Sequence, residues 1–263
     1  MSGIPGRMTR LGTELSVVGL GLNGNGRALR VSADAEIAAS SRRMIGWLWL
    51  AGGVIVALGI SRELYIARFG LETPLENLRQ ISLDGEQTVG AWFSSLLLLL
   101  NAGLLAVVAL FARRASDRDW PRWTLLSLIF VALAIDESVS FHEALIDPLR
   151  AMLGVGGALH FAWVVPAIPL VFGLGLFFLP FLRRLPAPDA GRFALAGLIY
   201  VGGALGLEMV GGQIASQSGK ASTSFVIAMC VEESMELIGL LIFAGALMNY
   251  LRQRWPQWRL RVI

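Results

Sequence analysis

The sequence predicts an all-α integral membrane protein, a bundle of six transmembrane helices with both termini in the cytoplasm. Three observations carry this expectation. Of the 263 residues 55% are hydrophobic and only 16% charged, whereas soluble domains carry about 25% charged residues. Six apolar segments, near 44–61, 88–112, 123–145, 160–182, 192–215 and 222–250, are each long enough for a hydrocarbon core of about 30 Å. The basic residues alternate between the two sides. Seventeen of the 22 fall before the first segment, in the 2–3 and 4–5 connections and at the C-terminus. Arg62, Arg68, Arg79, Arg150 and Lys220 make up the other side, which places the Arg-rich side in the cytoplasm.

Residues 1–43 read as a cytoplasmic tail, Gly- and Ser-bearing and without a sustained period. Gly19-Leu-Gly21-Leu-Asn-Gly24 matches G-x-G-x-x-G, but a dinucleotide site needs a βαβ unit around it and a membrane span follows instead. Residues 44–250 form the transmembrane domain and 251–263 a second cytoplasmic tail. The 62–87 connection carries Glu63, Glu72, Glu76, Asp84 and Glu86. Thr73-Pro74-x-Glu76 within it has the form of a helix start, so a short amphipathic helix in an otherwise solvated connector is expected.

Pro166 and Pro169, with Gly173 and Gly175, predict a kink in the fourth span. The fifth reads GGALGLEMVGG, whose small residues permit close helix approach. Trp47, Trp49, Trp92, Trp120, Trp123, Trp255 and Trp258 sit near predicted interfaces and read as an aromatic belt. Cys230 is the only cysteine, so no internal disulfide forms, and it reads as small apolar packing. Asn101 reads as a pairing residue between two helices. The net charge of +3 follows from topology and anionic lipid, with no need for nucleic acid.

Seven of the 19 acidic residues lie inside the spans: Asp136, Glu137 and Glu143 in the third, Glu208 in the fifth, and Glu232, Glu233 and Glu236 in the sixth. No Lys or Arg accompanies them in the span interiors. Without encoded cations, such acids must be protonated, wet or bound to a cation from outside. Alternation of span direction brings all three groups to one level in the outer half of the bilayer, with His142 and His160 nearer the external mouth. At 100° per residue, Asp136, Ser140 and Glu143 form one stripe and Glu232, Glu236 and Gly239 a second. Glu137 and His142 fall off the first stripe.

Carboxylates from facing helices, joined by imidazole, are how helical bundles hold divalent iron, manganese or zinc. The expected ligands are Asp136, His142, Glu143, Glu208, Glu232, Glu233 and Glu236. A carboxylate left outside the shell, Glu137 or Glu208, would move the proton.

Ser138-Val-Ser-Phe-His142 has the Ser-x-x-x-His form of the first motif in the CREST membrane hydrolases, the superfamily of alkaline ceramidases and adiponectin-receptor-like proteins, and so resembles them over about five residues. That resemblance implies a zinc-dependent hydrolase with Ser138 and His142 in its site. The last span departs from the family, with Glu232-x-x-x-Glu236 where His-x-x-x-His is found. The His-Glu pairs also resemble those of ZIP-type metal transporters.

These observations lead to a metal-dependent membrane enzyme, hydrolase or oxidoreductase, acting on a lipid-like small molecule in a bacterial inner membrane. The predominance of Arg over Lys, 21 to one, fits a GC-rich bacterial genome. A cation or proton transporter or channel is the alternative. A non-catalytic assembly subunit, whose acids meet a partner's basic residues, is a second.

Overall fold

The computed structural model describes residues 24–70, 73–85 and 87–255, with side chains from residue 41 onward. Those residues form helices joined by short connections, with no strand among them. The helices are α1 (Gly24–Phe69), α2 (Val89–Arg114), α3 (Trp120–Val139), α4 (Phe141–Ala144), α5 (Ile146–Leu153), α6 (Val164–Leu182), α7 (Ala187–Val201), α8 (Glu208–Ser218) and α9 (Thr223–Arg254), with a π-helical stretch at Gly202–Leu207 between α7 and α8. Four helical segments are long and apolar enough to cross a membrane: Ser41–Phe69, Val89–Arg114, Val164–Leu182 and Ala187–Ser218. A fifth is formed if α3 and the α4–α5 pair, bent by 65°, count as one broken span.

Local chemistry sets the helix ends. Thr88 caps α2 by accepting from the Ala91 N–H at 3.2 Å, and Ser222 caps α9 by accepting from Phe225 at 3.3 Å. Pro121 stands in the first turn of α3, where a missing N–H leaves no bond unmade. Asp119, the residue before α3, does not cap it, because its carboxylate is taken from elsewhere. It accepts from Arg122 Nη1 at 2.7 Å, from Arg184 Nε at 2.8 Å and from Arg184 Nη2, tying the start of α3 to the end of α6. The hydrogen-bonded Arg184 guanidinium holds the Asp119 carboxyl below the usual carboxylate range, and the partnership raises Arg184 in turn.

Helix α9 is the axis of the bundle, packed against α1, α2, α7, α8 and the π-helical stretch. Three apolar clusters are stacked along it. One gathers Trp123, Phe181, Phe193, Leu247, Tyr250 and Leu251; the next Leu97, Leu98, Ala134, Leu237 and Leu241; the third Leu83, Phe161, Phe225, Met229 and Cys230. Cys230 is thus packing, and Asn101, fully buried, donates from Nδ2 to the Leu240 carbonyl at 3.2 Å, pairing α2 with α9. Gly239 permits the closest crossing, since a Cβ there would lie 2.8 Å from the Tyr200 backbone nitrogen.

Several local expectations are corrected. The first helix begins at Gly24, well before the apolar run, so part of the expected tail is helical. The G-x-G-x-x-G stretch before it, Glu72, Glu86 and Trp258 lie outside the described residues. Helix α6 is continuous and carries Pro169 and Pro180 inside it. A sharp bend that was not expected falls in the third apolar segment, at Ser140 (φ 55°), a left-handed conformation that non-glycine residues adopt under constraint. Trp47, Trp49 and Trp92 are exposed as a belt requires, whereas Trp123 and Trp255 are buried. Trp123 packs edge-on to Phe181 with ring centroids 4.8 Å apart, so at this end of the bundle the indole serves the core.

The 62–87 connection is packed down. Arg62 and Glu63, both buried, pair at 2.5 Å; Arg62 also donates to the Leu75 and Glu76 carbonyls, and Ser82 Oγ donates to Glu63 at 2.7 Å. Leu83 is seated where a Cβ on Gly59 would collide with it. Thr73 caps no helix, its hydroxyl oxygen lacking a hydrogen-bond partner. Turns and a single 3-10 turn at Arg79–Ile81 stand where the amphipathic helix was expected.

Candidate functional site

The bend at Ser140 builds the first part of the site. Helix α3 stops at Val139, and the Ser140 N–H closes its last turn on the Asp136 carbonyl at 2.6 Å. The left-handed Ser140 then bends the chain by 65°. His142 donates its backbone N–H to Asp136 Oδ1 at 3.1 Å and sets Nδ1 2.6 Å from Asp136 Oδ2. Both residues are half-buried. A straight helix would separate positions 136 and 142 by about 600° of rotation, well off one face; the break is what joins them. It also dissolves the stripe expected of Asp136, Ser140 and Glu143, for Ser140 is buried and Glu143 exposed.

The second part lies on α6 and α8. Trp163, at the start of α6, donates Nε1–H to Glu208 Oε1 at 2.8 Å. The same indole meets the His142 ring with centroids 5.0 Å apart at 60°. Glu208 is the first residue after the π-helical stretch, and such stretches recur at functional sites. A Cβ on Gly203, within that stretch, would lie 3.0 Å from the Glu232 carbonyl and 3.1 Å from Glu236 Cγ, so the absence of a side chain brings this chain against α9 at its acids.

The third part is on α9. Glu232 lies within hydrogen-bonding reach of Glu208, and the charges weighing most on Glu232, Glu233 and Glu236 are other carboxylates: one another, Glu208 and Glu137, with Asp84 acting on Glu233. Glu137 of α3, Glu208 of α8 and the three acids of α9 therefore share one electrostatic neighbourhood. All are half-buried. Tyr200 of α7 joins it, acted on by Glu236, Glu137, Asp136 and Glu233.

Ser138 is drawn elsewhere. Its hydroxyl lies 2.8 Å from that of Ser95, which donates to the Ala134 carbonyl at 2.9 Å, a contact between α2 and α3. Among the described residues, no group of three or more His, Cys, Asp and Glu side chains is arranged to hold a metal ion.

Connections border the cluster. Asp84 belongs to the 62–87 segment; the protein around it pushes its carboxyl above the ordinary range, opposed by Lys220 and reinforced by Glu63 and Glu208. His160 precedes α6 and takes a hydrogen bond from Arg150 Nη1, 3.0 Å from its Nε2. Burial, then the charges of Arg150 and Lys220, hold its imidazole below its ordinary value. Arg150 is also bound to Asp147.

Sequence reasoning missed Trp163, Tyr200 and Asp84 as neighbours of the cluster, and Ser95 as the partner of Ser138. Trp163 had a usable signal, as a tryptophan beside His160 at the start of an apolar run. Tyr200 and Ser95 had none, since which face of a helix meets the site follows from packing alone.

Fold and site define a protein whose described residues are all-helical, with four or five helical segments apolar enough to cross a membrane and half-buried acids gathered between helices. Residues 47–250 match the family described as a domain of unknown function (DUF8692), and the chain belongs to that family. No curated protein and no solved structure matches it.

Proposed function

We propose that the chain crosses a bacterial inner membrane six times, with both termini in the cytoplasm. In this reading its acidic cluster, in the outer half of the bilayer, binds a divalent metal ion used on a lipid-like substrate. The sixth crossing is α9, whose 32 residues rise about 48 Å, enough for a hydrocarbon core of about 30 Å.

The observation that carries this reading is the Asp136–His142 pair beside an acid cluster, with no Lys or Arg in residues 123–145, 193–219 or 221–251. A carboxylate on Nδ1 fixes the tautomer and leaves Nε2 for a ligand, the arrangement that orients metal-binding and acid–base histidines. Bound iron, manganese or zinc would supply an activated water or an oxygen-binding centre. Asp136 would orient His142. Glu208, Glu232, Glu233 and Glu236 would supply oxygen ligands, and Glu137 would carry a proton. Trp163 would close the site from the α6 side by holding Glu208.

One observation favours proton or cation transport as a second reading. Glu208, Glu232, Glu233 and Glu236 are close enough for their charges to act on one another, and like charges gathered in this way favour uptake of a proton or a cation. Equilibrium dialysis of the detergent-purified protein against Fe²⁺, Mn²⁺ and Zn²⁺ separates the two. The enzyme reading expects a retained stoichiometric ion that Glu233→Gln with Glu236→Gln releases. No retained ion, together with proton flux in liposomes, would replace it with transport.

A further inference from the structure

Helices α3 and α6 leave between them an open groove of about 360 Å³, lined by Leu125, Pro169, Leu170, Gly173, Leu174 and Phe177. None of these belongs to the acidic cluster, and the volume falls within the roughly 300–1,000 Å³ of ligand pockets. The wall is apolar throughout. Gly173 is open, with nothing within 4 Å of where a Cβ would stand.

One end of the groove is cationic. The Arg122 guanidinium stands 5.8 Å from the centre of the Phe177 ring, and its Nε is buried without a hydrogen-bond partner. Arg122 shares the Asp119 carboxylate with Arg184, so that carboxylate is divided between two guanidiniums. An apolar slot ending at a guanidinium with an unpartnered N–H matches an acyl chain joined to a phosphate, since guanidinium binds phosphate oxygens in a planar fork.

We propose that this groove binds an anionic phospholipid, one acyl chain lying along Leu170, Gly173 and Phe177 and the phosphate held by Arg122 at the rim. The site rests on the reading above in one respect, that this end of α3 and α6 faces the cytoplasm, where anionic lipid attracts basic residues.

Native mass spectrometry of the full chain in detergent, titrated with phosphatidylglycerol or phosphatidylcholine, tests it. Phosphatidylglycerol should be retained about fivefold better, the equivalent of the ~1 kcal/mol contributed by one basic residue near a lipid surface. Arg122→Gln should abolish that preference. Gly173→Phe, which fills open space, should remove the bound lipid while the unfolding temperature holds. Equal retention of the two lipids, or phosphatidylglycerol unaffected by Gly173→Phe, would overturn the site. A dimer that excludes lipid would assign the groove to a second copy and overturn it too. Reporter fusions at the termini test the orientation separately, because binding in detergent does not depend on it.

Discussion

His142 Nδ1 lies 2.6 Å from Asp136 Oδ2, and the His142 backbone N–H reaches the other oxygen of the same carboxylate. One side chain therefore both caps the short α4 helix and fixes an imidazole. The left-handed Ser140 makes the arrangement possible, and the bond from Trp163 to Glu208 extends it toward α9.

Replacing Asp136 should separate these roles. Asp136→Asn retains an oxygen for the His142 N–H but loses the charge, and should lower stability by about 1 kcal/mol; Asp136→Ala should lose about 2 kcal/mol. Metal affinity should fall about 10–100-fold in either, as expected when a carboxylate behind a ligating histidine is removed. Thermal unfolding in detergent and dialysis against the ion measure the two effects.

Arg62 should be the most sensitive position in the 62–87 segment. Arg62→Ala strands Glu63 among buried groups and should cost about 3–5 kcal/mol, because an uncompensated buried charge remains. Arg62→Met with Glu63→Leu removes both charges and should recover much of that loss. Limited proteolysis within the segment, with the unfolding temperature, reports both variants.

Two glycines should respond in opposite directions. A methyl on Gly239 meets backbone atoms of Tyr200 and Ala196 at 2.8–3.0 Å, which cannot swing aside, so Gly239→Ala should destabilise by about 1–3 kcal/mol. Gly173 faces open space within α6, and Gly173→Ala should be neutral or stabilising by up to about 1 kcal/mol. Chemical denaturation of the two variants in parallel decides between them.

The bordering connections carry opposite pH signatures. His160 is held below its ordinary value of about 6.5, mainly by burial, so its stabilising contribution is present above that value and is lost as pH falls through it. His160→Gln should flatten the decline in unfolding temperature between about pH 7 and 5. Asp84 is raised, so its carboxyl favours the folded state below its ordinary value, and that contribution is lost as pH rises through the raised one. Asp84→Asn should therefore raise stability at neutral pH and change it less in acid.

The sequence made the helices and the clustering of acids legible, because apolar length and intramembrane charge are local properties. It did not reveal the break at Ser140. Asp136-Glu-Ser-Val-Ser reads as continuous helix until the carboxylate finds His142, and the choice between one more helical turn and a cap on α4 is made by that tertiary contact. The same limit hid Trp163 and Tyr200, whose roles depend on how α6 and α7 are rotated. The misreading of Trp123 has a parallel cause: an indole near a predicted interface serves lipid or core according to whether Phe181 and Phe193 are there to meet it.

The ligand shell of a metal bound to the purified protein, read by X-ray absorption, bears most directly on the proposal that acids from α8 and α9 share one ion with His142. The expected spectrum is an oxygen-dominated shell with one imidazole, whose signature disappears in His142→Ala and whose oxygen count falls in Glu236→Gln. A protein without a stoichiometric ion, or a shell that neither substitution alters, would contradict it.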